Sequence, residues 1–141
     1  MPLLEVAGAR VGLLNCYEDV TDRYARALAA EDPELLVGSA SDAWYGESAQ
    51  PAIHRRIASF RAIEVRRDFV RALNTGESSF VSATGEERIV RGLSQRASFI
   101  ADARRLTGAT VYATLGDWVS LLALATLFVL ALARARRERP W

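Results

Sequence analysis

The chain contains no lysine, since all 18 of its positively charged residues are arginine. A mechanism that needs a neutral lysine amine therefore cannot run on this sequence alone. Cysteine and histidine occur once each, as Cys16 and His54, which excludes an internal disulfide and the ligand set of a structural zinc site. We expect no metal and no cofactor. A strong charge of one sign is also lacking, because the formal net charge is +1, and this argues against a nucleic-acid partner.

The composition itself is that of an ordered protein. Half of the 141 residues are apolar and 25% are charged, which is typical of one globular domain with a modest core. Residues 1–14 lack the basic segment, the continuous apolar run and the small-residue cleavage site of a secretory leader. We therefore expect no signal peptide at this end.

Alternating short apolar runs and helical patterns predict an α/β fold. An apolar strand delivers Cys16 at its C-terminal end, and the following helix has Thr21 as its N-cap. The resulting order is β-α-β-α-β-β-β, which favours a sheet covered by helices. The predicted elements are strand 10–15, a helix from 21 to about 32, strand 35–37, helix 51–67, strand 68–73, a hairpin of 79–82 with 88–90, and strand 97–103.

The second predicted helix carries a clear apolar stripe. Ile53, Ile57, Phe60 and Ile63 recur at the spacing of one helical face. Such a stripe usually packs against a core. We therefore predict that this face is buried.

The C-terminal part is a long apolar segment. Residues 118–133 contain no charge, and four arginines follow within residues 134–139. This pattern predicts a transmembrane helix over 118–134 and a basic cytoplasmic tail over 135–141, with Trp118 and Trp141 near the two membrane surfaces. The alternative is a buried C-terminal helix of a soluble core.

Cys16 is the candidate nucleophile. A strand-to-helix turn exposes a side chain at a sheet edge, where helix N-terminal N–H groups favour a thiolate. Glu18 could orient a partner or hold a proton, and His54 is the one histidine available as a base. The alternative is that Cys16 is a small buried hydrophobic residue, as lone cysteines often are.

Several motifs occur together in one order. They are "VGLLNCYEDV", "SDAWYG", "HRRIASFRAIEVRRDFVRALNTG", "TGEERIV" and "VYATLGDW", followed by the apolar segment. In this combination the chain resembles the C-terminal part of the bacterial apolipoprotein N-acyltransferases, which are membrane members of the nitrilase, or carbon-nitrogen hydrolase, superfamily. The resemblance extends from Val11 to the arginine tail.

The resemblance implies roles for particular residues. Cys16 matches the family nucleophile, which carries an acyl group as a thioester, and Glu18 matches a carboxylate that the family also needs. Tyr17 matches the residue between them. The loop beside the active site corresponds to "DAWYG", so Asp42, Trp44 and Tyr45 are expected near the substrate. Further family positions are assigned mainly to architecture: His54, Arg61, Glu64, Arg71, Asn74 and Gly76.

The resemblance also implies a fold and some departures. It predicts the C-terminal half of a nitrilase-type α-β-β-α sandwich over residues 1–108, a connector over 109–117 and one C-terminal transmembrane helix. The family's catalytic glutamate and lysine come from the N-terminal half of the sandwich. Ser41 and Thr114 replace an asparagine and an arginine that are usual in the family.

Three functional hypotheses stay open at this point. The first is a part of an N-acyltransferase that moves an acyl chain from a phospholipid to the N-terminal amine of a lipoprotein, at the outer side of the bacterial inner membrane. Its partners would be the phospholipid donor and the lipoprotein acceptor. The missing N-terminal half would either precede this segment in a longer polypeptide or be separately encoded as a further partner. The second is a soluble nitrilase or amidase half-domain. The third is an inactive membrane-anchored fragment that binds a partner through its open sheet.

Overall fold

The computed structural model describes residues 1–137, which form one mixed sheet with helices. The six strands lie in chain order, with the central three parallel to one another and the outer pairs antiparallel. The elements are β1 (Leu4–Val6), β2 (Ala9–Asn15), α1 (Asp22–Ala29), β3 (Leu35–Ser41), α2 (Gln50–Val65), β4 (Phe69–Asn74), β5 (Ser78–Val81), β6 (Glu87–Arg91), α3 (Val111–Leu115) and α4 (Trp118–Arg137), with 3-10 turns at Cys16–Asp19 and Ala43–Tyr45.

The core lies between one face of the sheet and the helices α1 and α2. Leu14 and Leu36 project from neighbouring parallel strands and are fully buried, as are Leu28 of α1 and Phe69 of β4. Gly38 lies beside the Phe69 ring, where an added Cβ would come within 2.9 Å of a ring carbon. The missing side chain thus lets the aromatic ring pack flat on β3.

This architecture is one sheet and one helix layer, half of the four layers of a nitrilase sandwich. Residues 1–137 form no second sheet. On the face away from the helices, Leu13 is 38% exposed. Val11 and Phe80 on the same face are buried, so this face is only partly open.

The predicted burial of the α2 stripe is wrong. Ile53, Ile57, Phe60 and Ile63 are 40–56% exposed, and the opposite face of the helix packs on the sheet. That face combines small apolar residues with polar ones that find partners: Ala58, Ala62 and Val65 with His54, Arg55 and Arg61. Alanines let the helix lie close to the strands, and the arginine stems cover apolar surface.

Two further strand predictions differ from the structure. β1 was not predicted, because three residues of edge strand leave little periodic signal. Residues 97–103 form no strand. The chain that follows them is instead held to strand ends by the hydrogen bonds Arg104 N to Asp68 Oδ2 at 2.8 Å and Leu106 N to Glu34 O at 3.1 Å.

The segment before α4 docks on the helix layer. Tyr112 Oη donates a hydrogen bond to Asp22 Oδ2 at 3.1 Å, and the Arg26 guanidinium lies 5.8 Å from the Tyr112 ring centroid. At Gly116, with φ +63°, an added Cβ would lie 2.5 Å from Arg26 Nη1. Burial, together with the nearby Asp22 and Asp117, raises the pKa of Glu64 to about 7. The connector is thus packed against α1 and α2.

Helix α4 leaves the domain as a separate feature. Its segment Trp118–Arg136 is long and apolar enough to cross a membrane, and none of it is buried against the rest of the protein. The alternative of a buried core helix is therefore wrong. The predicted tail falls mostly on 138–141, including Arg139 and Trp141, which lie outside the described residues.

Candidate active site

Cys16 begins a tight 3-10 turn directly after β2, and we name Cys16–Asp19 the Cys16 turn. The backbone of Cys16 has φ +52°, a conformation that is costly for a residue with a Cβ and is often found at functional sites. Glu18 stabilises this turn, since its Oε2 accepts the Asn15 N–H at 2.8 Å. Thr21 Oγ1 donates to Tyr17 O at 3.0 Å. These two hydrogen bonds therefore hold the turn that carries the Cys16 thiol.

Cys16 opens into a cleft of about 600 Å³. The cleft lies at the C-terminal ends of the parallel strands β2, β3 and β4, the edge at which α/β sheets usually bind ligands. The thiol is half-buried there. Residues that line the cleft beside it include Ser39, Ser41, Ala43, Trp44 and Asn74.

The second wall of the cleft is the turn Ala43–Tyr45 with the preceding Asp42, which we name the Trp44 turn. Trp44 is 73% exposed at the cleft. Tyr45 and Tyr17 are joined by a short hydrogen bond between their hydroxyls. This bond raises the pKa of Tyr45 to about 12, so the Tyr45 phenol stays protonated at neutral pH.

A buried charge network lies beneath both turns. His54 Nε2 is 2.7 Å from Asp19 Oδ1, and His54 Nδ1 is 2.8 Å from Asp42 Oδ1. Arg71 Nε donates to Asp19 Oδ2 at 2.9 Å. All four side chains are at least 94% buried. The hydrogen bond to Asp19 raises the pKa of His54 above its ordinary value, despite the opposing effects of burial and of Arg71.

Space for this network depends on Gly76. An added Cβ at this position would lie 2.5 Å from Asp42 Oδ2 and 2.4 Å from Leu73 Cδ2. Oδ2 of Asp42 is buried and has no hydrogen-bond partner among the described residues. Gly76, which follows β4, therefore leaves room for the Asp42 carboxylate of the Trp44 turn.

The structure brings together some of the predicted site residues and separates others. Cys16 and Trp44 share the cleft, and Tyr17 and Tyr45 join its two walls. Glu18 holds the backbone of the Cys16 turn, and Asp42 faces the buried histidine. His54 is not free to act as a base for Cys16, because each ring nitrogen faces a carboxylate.

Sequence reasoning missed Asp19, considered His54 only as a base for Cys16 or as part of the architecture, and assigned Arg71 to the architecture. The adjacent acidic pair in "CYED" was a signal, since a carboxylate placed beside a buried turn needs a positive partner. That partner, Arg71, is 52 residues away, and no local spacing indicates it.

Comparison with known proteins identifies the family of this chain. The sequence model of the carbon-nitrogen hydrolase family matches residues 1–114. The apolipoprotein N-acyltransferase of Geobacter metallireducens is 34% identical over 134 residues, which are 93% of this chain and 26% of that protein. That of Azotobacter vinelandii is 37% identical over 141 residues, which are 98% of this chain and 27% of that protein. The chain thus spans about a quarter of the length of these curated relatives.

Solved structures support the same fold. A carbon-nitrogen hydrolase from Helicobacter pylori G27 superposes with a TM-score of 0.56 at 17% identity, over 64% of this chain and 39% of that one. An amidase from Nesterenkonia sp. gives a TM-score of 0.53 at 24% identity, over 66% of this chain and 37% of that one. Since the family's sequence model matches most of the chain and these folds agree, the chain belongs to the carbon-nitrogen hydrolase family.

Proposed function

We propose that this chain carries the nucleophile of an apolipoprotein N-acyltransferase, with Cys16 as the residue that holds the acyl group. The observation that carries the proposal is Cys16 itself, at φ +52° on a tight turn and open to a cleft at the strand ends. The names of the relatives support the acyl-transfer reaction, and the exposed apolar helix α4 supports a lipid substrate.

The proposed reaction has two balanced steps. The Cys16 thiolate attacks the ester carbonyl of a phospholipid, and the lysophospholipid alkoxide leaves and takes a proton, so that a thioester remains. The N-terminal amine of a lipoprotein's diacylglyceryl-cysteine then attacks the thioester carbonyl and loses a proton. The product is an amide, and the thiol of Cys16 is regenerated.

The base that activates Cys16 is proposed to come from outside this segment. His54 and Glu18 are both engaged in structural hydrogen bonds. The relatives are about four times longer than the matched segment. A catalytic glutamate and a lysine, as the family resemblance implies, would reach the cleft from the corresponding part of the same polypeptide or from a separately encoded N-terminal half.

Immunoblotting with an antibody raised against residues 134–141 distinguishes between these two sources of the base. A band several times larger than 15.5 kDa in membranes of the source cell means that base and nucleophile share one polypeptide. A band at 15.5 kDa that co-purifies with a second, larger protein means that the base is supplied in trans.

The remaining site residues are assigned by their place around the cleft. Trp44 offers an exposed aromatic surface to the acyl chain, and the hydroxyl pair of Tyr17 and Tyr45 fixes the width between the two walls. Glu18 keeps Cys16 in its strained conformation. Asp42 supports the Trp44 turn from below the cleft through its hydrogen bond with His54.

The membrane arrangement that we propose is based on α4. We assign 1–108 to the hydrolase-like domain, 109–117 to the connector, 118–134 to the transmembrane helix and 135–141 to a cytoplasmic tail. Arginines are enriched on the cytoplasmic side of spans. The cleft would then lie on the outer side of a bacterial inner membrane, where phospholipid and lipoprotein are both accessible.

The deciding experiment is to trap the acyl-enzyme. The active form is incubated with a phospholipid that carries a labelled acyl chain, and the adduct at Cys16 is tested for release by neutral hydroxylamine, which cleaves thioesters. We expect the adduct in the wild type and none in Cys16→Ala. Cys16→Ser is the matched control, since any adduct on it would be an ester that resists neutral hydroxylamine.

An inactive, partner-binding fragment is the second candidate. It is favoured by the exposed Leu13 on the open sheet face and by the exposed α2 stripe. This candidate predicts that no labelled adduct forms at Cys16, even in the presence of the missing glutamate and lysine. A label that persists in Cys16→Ala would contradict the proposed function directly.

A further inference from the structure

His54 connects the two walls of the cleft from below. Its Nε2 contacts Asp19 in the Cys16 turn at 2.7 Å, and its Nδ1 contacts Asp42 in the Trp44 turn at 2.8 Å. The histidine comes from α2, so a third element holds the two turns in register. The imidazole is only 6% exposed, and water therefore competes little for these contacts.

The hydrogen bonds to both turns determine which protonation state His54 needs. A carboxylate only accepts hydrogen bonds, and a neutral imidazole has one N–H. Donation to Asp19 and to Asp42 at the same time therefore needs two ring N–H groups, which only the imidazolium has. A neutral His54 would donate to only one of the two carboxylates, and its unprotonated nitrogen would face the other one.

The charges around the ring also cancel only when His54 is protonated. The groups facing His54 are Asp19, Asp42, Arg71 from β4 and the Tyr17 ring, which stacks on the imidazole with centroids 6.2 Å apart. With His54 charged, two carboxylates oppose two cations. With His54 neutral, this buried group carries an excess negative charge beneath the cysteine.

We propose that His54 is a positioning residue which, as a buried imidazolium, joins the Cys16 turn to the Trp44 turn and so sets the geometry of the nucleophile cleft. The inference rests on the proposed function for its consequence in acyl transfer. The bridge itself is a property of this chain and can be tested without that reaction.

The first test observes the ring directly. Because His54 is the one histidine in the sequence, ¹⁵N-histidine labelling of the full chain in detergent gives the signals of this residue alone. At pH 7 we expect both ring nitrogens to carry protons and to be protected from solvent exchange. A neutral ring with one unprotonated nitrogen at pH 7 would overturn the proposal. This measurement needs no variant.

The second test measures the effect on Cys16. The single thiol is alkylated with iodoacetamide at pH 7.5 in wild type and in His54→Gln. We expect the rate to fall about tenfold in the variant, because thiolate formation then takes place above carboxylates that no imidazolium balances. The wild-type rate should also show an inflection where His54 loses its proton, and His54→Gln should lack it.

Arg55→Gln is the matched control, because it removes a cation from the next position of the same helix. Arg55 is buried and pairs with Glu77 and Glu87, and none of these three residues lines the cleft. We expect this variant to lose stability and to keep the wild-type alkylation profile. Equal slowing in both variants, or no slowing in His54→Gln, would overturn the proposal. The proposed function is tested separately, because it would be contradicted by the absence of an acyl adduct at Cys16.

Discussion

Glu64 makes the stability of the domain depend on pH in a direction opposite to that of most carboxylates. Its side chain lies between α2 and the connector, pairs with Arg61 at 2.7 Å and is 18% exposed. Burial raises its pKa from 4.5 to about 7, with Asp22 and Asp117 contributing in the same direction. The folded state therefore binds a proton more tightly than the unfolded chain does.

The sign and size of the effect follow from this difference. Between pH 4.5 and about 7 the folded state holds more protons, so the free energy of unfolding decreases as the pH rises. The stabilisation is complete below pH 4.5 and is lost as the pH rises through about 7. A shift of this size corresponds to at most about 3 kcal/mol. His54 has the same sign in a higher window, since its stabilisation is present below pH 6.5 and is lost above it.

Urea unfolding of the chain in detergent, followed by circular dichroism from pH 5 to 7, measures the effect. We expect wild type to lose about 2 kcal/mol of stability over this range and Glu64→Gln to be nearly flat. Glu47→Gln, at an exposed carboxylate, should follow the wild-type curve. Parallel curves for wild type and Glu64→Gln would refute the reasoning.

Two further predictions concern packing. Phe60→Ala should change the free energy of unfolding by less than about 0.5 kcal/mol, because the ring is 56% exposed. Leu28→Ala, at a fully buried position, should lower it by about 2–5 kcal/mol. Equal losses in urea unfolding would contradict the assignment of Phe60 to the exposed face and Leu28 to the core. Gly76→Ala should cost about 1–3 kcal/mol, because its Cβ would meet the Asp42 carboxylate, and it should shift the His54 ¹⁵N signals; an unchanged spectrum would refute the close contact.

Local patterns predicted most of the elements. The strand that ends at Cys16, the helix after Thr21 and the hairpin around residues 83–86 are confirmed, because each has a strong periodic or turn signal within ten residues. The place of Cys16 directly after this strand was predictable for the same reason. An apolar run followed by a polar turn indicates where a strand delivers its last side chain.

The burial of α2 could not be predicted in this way. Apolar periodicity favoured the Ile57 face, while the buried face holds His54 and Arg55, which look solvent-exposed in sequence. Their partners lie 12–35 residues away along the chain, so the ion pairs that make their burial favourable have no local signature. The bridge beneath the cleft was missed for the same reason.

The separation in sequence between the charges beneath the cleft has a consequence for folding. Asp19 lies 35 residues before His54 and 52 before Arg71, so the Cys16 turn cannot bury its carboxylate until α2 and β4 are in place. Contacts between distant residues form slowly, because a long loop must close before they are made. The strained cysteine is therefore expected to appear only with the complete parallel sheet, and a nascent or partly unfolded chain would present an ordinary thiol on a relaxed turn.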